Sequence, residues 1–277
     1  MQRSRALTTL VYALIVLVSV WSLFPLLWGV STSVKVDQDI FTSPPRWIPQ
    51  RATLQHYYST FIVGQFYRNV LNSLFISGVA TAISLVVGVL AAYSLARFRF
   101  VGNSLVLVLI LASMTVPGLT NLIPIYVMLA KLKLLSTYTG LILIYGGWGI
   151  PWTVWIMRGF FQSLPKELED AARVDGCSRL QTLVRIILPI SAPGIISTTI
   201  FLFLNNWNEY IAARTYLQAA VEKHTAPVKI FFAMHSTLTQ NWGGLNAMSF
   251  ISYLPVLLVF SFLSKYFIAG LTTGSSR

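Results

Sequence analysis

Residues 70–95, VLNSLFISGVATAISLVVGVLAAYSL, run without one charged residue or histidine between Arg68 and Arg97. An α-helix rises about 1.5 Å per residue, so a run of this length crosses the roughly 30 Å hydrocarbon layer of a bilayer. A barrel strand would instead alternate apolar and polar residues over about 10 positions, and no such alternation is present. The stretch therefore predicts a membrane-spanning helix. Working outward from it, five further apolar runs lie at 8–32, 104–130, 138–158, 193–215 and 246–269, each bounded by charge or turn residues, as in Arg97-Phe98-Arg99-Phe100-Val101-Gly102-Asn103. The expected fold is all-α, a polytopic membrane protein with six transmembrane helices.

Composition agrees. Of 277 residues, 55% are hydrophobic and only 10% are charged, with a mean hydropathy of +0.69, so too few polar side chains exist to cover a water-facing globule. The net charge of +12 would suggest nucleic acid in a soluble protein. Here the cations fall in short segments between apolar runs, as loop charges do, and no nucleic-acid partner is expected. Arg3 and Arg5 precede the first run, which continues to about Trp28 without a small-x-small cleavage pattern, and it reads as a retained first span. With six spans both termini share a side. Arg3, Arg5, Arg97 and Arg99 place that side in the cytoplasm of a multi-pass protein of the cell membrane. The single Cys177 cannot form an intrachain disulfide, and His56, His224 and His235 have no ligand spacing, so no metal site or cofactor is expected.

The segment 163–193 carries more than a connector requires. Pro165 stands where a missing N–H costs nothing, and Glu167, Glu169 and Asp170 place negative charge in the first turns of a helix, where the dipole favours it. Leu164, Leu168, Ala171 and Ala172 share one face, and Gly176 suits a left-handed C-cap. Ser178-Arg179-Leu180-Gln181 has the form of a capping box for a second helix whose Leu180, Leu183, Val184, Ile187 and Leu188 share a face and which Pro189 ends.

Asp170-Ala171-Ala172, Gly176 and Ile186-x-Leu188-Pro189 resemble the EAA loop, E-A-A-x3-G-x9-I-x-L-P, of binding-protein-dependent ABC importer permeases. Leu164-Pro165-Lys166-Glu167-Leu168-Glu169 and Val174-Asp175-Gly176 are similar to the carbohydrate branch, the permeases of maltose import. The likeness extends to Asn72-Ser73, Pro117, Pro124, Trp207-Asn208-Glu209-Tyr210, Pro255 and the tail Gly270-Leu271-Thr272-Thr273-Gly274. Asp170 stands where the family has Glu, and Cys177 where it commonly has Ala. The resemblance implies one transmembrane domain over 1–277, with its EAA loop at about 163–191 in the cytoplasm between spans four and five. It implies half of a translocation pore for a di- or oligosaccharide, working by alternating access. The partners it implies are a second permease, two cytoplasmic ATPase subunits that hold ATP and magnesium, and an extracytoplasmic binding protein. The chain itself would be non-catalytic and hold no cofactor, in keeping with the lack of a G-x4-G-K-[ST] phosphate loop. Within the loop, the residues expected to couple to the ATPases are Glu167, Glu169, Asp170, Ala171, Ala172, Asp175, Gly176, Leu188 and Pro189.

The substrate path is less legible. Asn205, Asn208 and Glu209 lie in the fifth run, where polar groups are costly unless they face a cavity or a bundle interior. Glu209 fits either a pathway or an interfacial carboxylate near Arg214. Trp152, like Trp148 and Trp207, fits either sugar stacking or an interfacial belt. Pro117, Gly118 and Pro124, and Gly146, Gly147 and Gly149, mark either bending or close packing. Residues 34–68 and 216–245 are candidate surfaces for the binding protein. Glycerol phosphate or a glycerophosphodiester is the alternative cargo. A secondary transporter would need intramembrane ionisable relays, for which only Glu209 qualifies, and a membrane enzyme would need a catalytic constellation that is missing.

Overall fold

The structure is a computed structural model that describes the backbone of residues 5–235 and 241–273 and the side chains of 7–235 and 241–262. Arg3, Gly274, Arg277 and residues 236–240 of the second candidate docking segment lie outside the described residues. Eleven helices carry the fold: α1 (Arg5–Ser33), α2 (Phe66–Arg97), α3 (Asn103–Ser113), α4 (Leu122–Lys131), α5 (Tyr138–Ser163), α6 (Glu167–Val174), α7 (Arg179–Ile190), α8 (Ala192–Asn208), α9 (Ile211–Tyr216), α10 (Ala226–Met234) and α11 (Trp242–Thr273). Among the described residues the one β feature is an isolated bridge between Lys35 and Ala52. The all-α expectation holds.

Four helices, α1, α2, α5 and α11, are long and apolar enough to cross a bilayer by themselves. The third and fifth runs are not the continuous spans expected. Asn103–Ser113 and Gly118–Lys131 are bent by 90°, at the break before Pro117-Gly118, where proline withholds an N–H and the chain cannot continue its ladder. The fifth run breaks at Glu209-Tyr210, between Ala192–Asn208 and Ile211–Tyr216, while the loop helix Arg179–Ile190 meets it in a 78° bend at Ser191, within the expected boundary between Pro189 and residue 193. Counting each bent pair as one span gives six. The expectation that Pro189 ends the second loop helix also fails, since helix continues to Ile190. The turns before it, Leu183–Ile187, widen to π geometry, which lets a helical proline fit without its ring striking the preceding carbonyls.

The chain forms two compact units, Met1–Tyr67 with Lys229–Leu254 and Arg68–Val228 with Pro255–Arg277. In the first, the segment after α1 folds around the buried Lys35. Its ammonium lies over Trp28, 4.3 Å from the ring centroid, and donates to the carbonyl of Arg46 at 2.6 Å. His56 Nε2 lies 2.9 Å from the Lys35 carbonyl, and Gly243 packs against the same imidazole with no room for a side chain.

In the second unit, α2, α5 and α8 form the centre. Asn69, Ser73, Ser77, Thr81 and Ser84 recur on α2 at helical spacing and are all buried. This stripe of small polar residues was hidden inside a run read only for its apolar content. Without a hydrophobic force between helices in lipid, close packing and interhelical hydrogen bonds hold such bundles. Ser84 accordingly donates to the Gly146 carbonyl at 2.8 Å, and Gly149 lies so close to Ser84 that a Cβ would overlap its hydroxyl. Close packing is therefore the role of Gly146 and Gly149. An apolar cluster of Ile76, Leu129, Leu141, Tyr145, Ala213 and Tyr216 fills one end of the unit, and Val89, Tyr93, Met157, Phe161, Leu183 and Ile187 fill the other.

Candidate functional site

Two places in the second unit collect the residues singled out by sequence. The first is the hairpin of α6 and α7. Three acidic residues, Glu167, Glu169 and Asp170, sit in the first turn of α6, as its dipole favours. Gly176 adopts φ +81°, the left-handed cap expected, and the bonds Cys177 N–H to Ala172 O (2.9 Å) and Gly176 N–H to Arg173 O (3.1 Å) complete a Schellman turn. Ser178 and Gln181 form the capping box, with Ser178 N–H donating to Gln181 Oε1 at 2.8 Å and Gln181 N–H to Ser178 Oγ at 3.3 Å. Cys177 is a free, half-buried thiol.

The burial pattern differs from the single faces expected. Leu168 and Ala172 of α6, and Leu164 just before it, turn inward, whereas Ala171 is exposed. On α7, Leu183 and Ile187 are buried, but Leu180 and Val184 are exposed, as is Val174, 88% accessible. Leu188 is half-buried and Pro189 and Asp175 are exposed. The two adjacent carboxylates also separate. Asp170, its side chain 62% exposed, pairs with Arg173 one turn on. Glu169 turns inward, where Arg97 Nε lies 2.5 Å from its Oε1 and the Tyr93 hydroxyl donates to its Oε2 at 3.1 Å.

The second place is a cavity of about 460 Å³ at the α3–α4 break, walled by α5 and α8. Trp152, Asn205 and Glu209 line it together with Trp148, Asn121 and Asn206. Asn208 does not line it, and its amide donates to the Leu204 carbonyl of its own helix at 3.0 Å. Trp152 packs on Phe201 with centroids 5.1 Å apart, and Trp148 stacks on Tyr145. Trp207 is buried against Phe203, so it belongs to neither an interfacial belt nor the cavity wall.

Glu209 corrects the expected course of the fifth run. It stands in extended backbone just past the end of α8, and its Oε1 and Oε2 accept the amides of Ala212 (2.8 Å) and Ala213 (3.0 Å), closing the open N-terminus of α9. The Tyr145 hydroxyl also donates to it. Burial first, and then the Glu209 charge, push the Tyr216 phenol up to about 12. Among the described residues, Glu209 is the one Asp, Glu, Lys, Arg or His lining the cavity. Among the described residues no three His, Cys, Asp or Glu side chains are placed to hold a metal ion.

Residues 84–273 match the family described as the binding-protein-dependent transport system inner membrane component. The chain belongs to that family. It is 33% identical over 254 residues to the diacetylchitobiose uptake system permease protein DasC of Streptomyces coelicolor, covering 92% of this chain and 91% of that one. It is 31% identical over 266 residues to the trehalose/maltose transport system permease protein MalG of Thermococcus litoralis, covering 95% and 94%. A crystal structure of a bacterial ABC transporter involved in import of the acidic polysaccharide alginate has the same fold, with a TM-score of 0.83 at 22% identity over 96% of this chain and 99% of that one. The protein is thus a sugar-type ABC importer permease, a non-catalytic, multi-pass membrane subunit.

The family match does not by itself distinguish α2's polar stripe, which sequence reading missed. Its signal was available as small or polar residues every fourth position at 69, 73, 77 and 81.

Proposed function

We propose that this chain forms half of the translocation pathway for a neutral di- or oligosaccharide, and that its α6–α7 hairpin docks on a cytoplasmic ATPase subunit. A second permease would supply the other half, and an extracytoplasmic binding protein would deliver the sugar. ATP and magnesium would be held by the ATPases, and both termini of this chain would be cytoplasmic. What carries the docking role is the outward face of the hairpin. Val174, Leu180 and Val184 are exposed beside the acidic first turn of α6, and an exposed apolar surface rimmed by charge marks a protein contact. Glu167, Asp170, Ala171, Asp175 and Pro189 are exposed on the same hairpin and would share that contact.

The cavity supports the substrate class. Trp152 and Trp148 offer ring faces to apolar sugar surfaces, while Asn121 and Asn205 offer amide donors and acceptors for hydroxyls. Among the described residues no Lys or Arg lines it to neutralise a phosphate, sulfonate or uronate, and Glu209 would repel one. A glycerol phosphate is therefore disfavoured as cargo. The test is ATP-dependent uptake by proteoliposomes carrying both permeases, the ATPases and the binding protein. A neutral disaccharide should be transported, glycerol 3-phosphate should not compete, and Trp152→Ala should raise the half-saturating concentration for transport about tenfold. Uptake confined to anionic cargo, or an unchanged concentration dependence in Trp152→Ala, would remove the cavity from the path.

A further inference from the structure

Asp170 occupies the acidic position of the EAA motif, yet its neighbour is the carboxylate held by the protein's own interior. Glu169 uses both oxygens on α2, one on Arg97 at 2.5 Å and one on Tyr93 at 3.1 Å. Arg97 in turn donates from Nη2 to the carbonyl of Leu164, at the end of α5, at 3.0 Å. The pair is largely withdrawn from water, the side chains being 4% and 14% exposed. Aromatic rings fix it further. Tyr93 lies edge-on to Phe161 and Phe98, and Arg179, from the first turn of α7, covers the Phe98 ring at 4.7 Å. One small pocket of about 150 Å³ thus gathers the end of α2, α6 and the start of α7.

The rest of α6 holds on lightly. Of its eight residues only Ala172 is buried, and Ala contributes little area. A short helix on so small a contact would tilt when pushed by a partner. A largely enclosed carboxylate, ion-paired with Arg97 and hydrogen-bonded by Tyr93, resists tilting, because displacement would separate it from its cation.

We infer that Glu169 and Arg97 are the positioning pair through which the α6–α7 hairpin moves α2, so that motion of the ATPase contact reaches the transport bundle as a rigid displacement and not as a local rocking of α6. Asp170 faces the partner, and Glu169 faces the bundle. The assignment rests on the docking role proposed above for the hairpin. It requires that loss of the pair uncouple transport from hydrolysis without detaching the ATPases.

The experiment uses the full reconstituted complex. Glu169→Gln, Arg97→Met and the double variant Arg97→Met/Glu169→Leu are compared for ATPase co-purification, for stimulation of hydrolysis by loaded binding protein, and for sugar taken up per ATP. Each single variant should retain the ATPases and lose about tenfold in stimulation and in uptake per ATP. The double variant, with no orphaned charge, should assemble as the wild type does yet remain uncoupled, which keeps the test open if a single variant fails to insert. Full stimulation in the double variant would show that the pair serves folding alone and would overturn the inference. Asp170→Lys and Leu180→Asp separate this outcome from failure of the docking role. If they detach the ATPases while the Glu169 variants stay coupled, the hairpin docks but this pair does not transmit. If they leave docking intact, the hairpin reading itself falls, and the inference with it.

Discussion

The two ends of α2 are clamped by different chemistry. At its start, Asn69 and Asn72 donate to the carbonyl of His224 at 2.8 and 3.1 Å, Asn72 also reaches the carbonyl of Glu222 at 2.9 Å, and the Ser73 hydroxyl accepts the Ala226 amide at 2.8 Å. These side chains are uncharged and their partners are backbone groups. Near its other end, about 36 Å away at 1.5 Å per residue, Arg97 and Tyr93 hold a single carboxylate. The first clamp divides its strength among several neutral bonds, so it loses strength in steps. The second concentrates it in one buried charge pair, so it is present or absent as a unit. The first holds the 221–226 segment irrespective of its side chains, whereas the second depends on two residues far apart in sequence.

The largest effect should come from breaking the charged end. Arg97→Ala leaves Glu169, 14% exposed, without its cation, at a cost of up to about 3 kcal/mol. Thermal unfolding of the complex, followed by loss of the solubilised permease with temperature, should show the greatest drop for this variant. A loss no larger than that of a neutral hydrogen bond would mean that Glu169 escapes to water or protonates, and that the two ends do not differ as described.

Ser73→Ala probes the neutral end. It leaves the buried Ala226 amide without an acceptor, which costs about 1–3 kcal/mol, while Asn69 and Asn72 still hold the segment two residues earlier. Hydrogen exchange should rise at 224–228 and remain as in the wild type at 163–190. Equal deprotection at both ends would mean that α2 transmits disorder along its length and that the clamps are not independent.

How far these differences were legible follows from the distance over which each signal acts. The α6–α7 hairpin was readable because caps and dipole charges are local. Gly176, Ser178 and Gln181 each act within five residues, and all adopted the expected geometry. The bends were readable, since Pro117-Gly118 marks the first and Pro189 and Pro193 flank the second at Ser191. The end of α8 at Asn208 was not readable by counting residues across a bilayer, because it is set by Glu209 capping the next helix. The division between Glu169 and Asp170 was least readable. Neighbouring positions differ by about 100° around a helix, and which one faces inward is decided by Tyr93 and Arg97, the former 76 residues earlier in the chain. Leu180 and Val184 share the expected apolar face with Leu183 and Ile187 yet are exposed, for the converse reason. Periodicity identifies an apolar face but not whether the covering surface belongs to the same chain.

The smallest effect should come from Asp170→Glu, and its smallness is informative. Asp170 pairs with Arg173 in the open, and an exposed pair of this kind contributes about 0.2–1 kcal/mol. Its placement in the first turn of α6 adds a dipole term of similar size, which Glu retains. The added methylene meets solvent here and not a packed wall, so the variant should unfold within about 0.5 kcal/mol of wild type. The same methylene at position 169 would have no such freedom, since both oxygens of Glu169 are already engaged by α2. Parallel measurements on Asp170→Glu and Glu169→Asp therefore compare one methylene added outside with one removed inside. Thermal stability and stimulated hydrolysis should be near wild type for the former. The latter should lower both, because shortening the side chain draws the carboxylate away from Arg97 and Tyr93 while leaving its charge in place. If the outward substitution proves the costlier, Asp170 is the residue under geometric constraint, and the roles assigned to the two carboxylates must be exchanged.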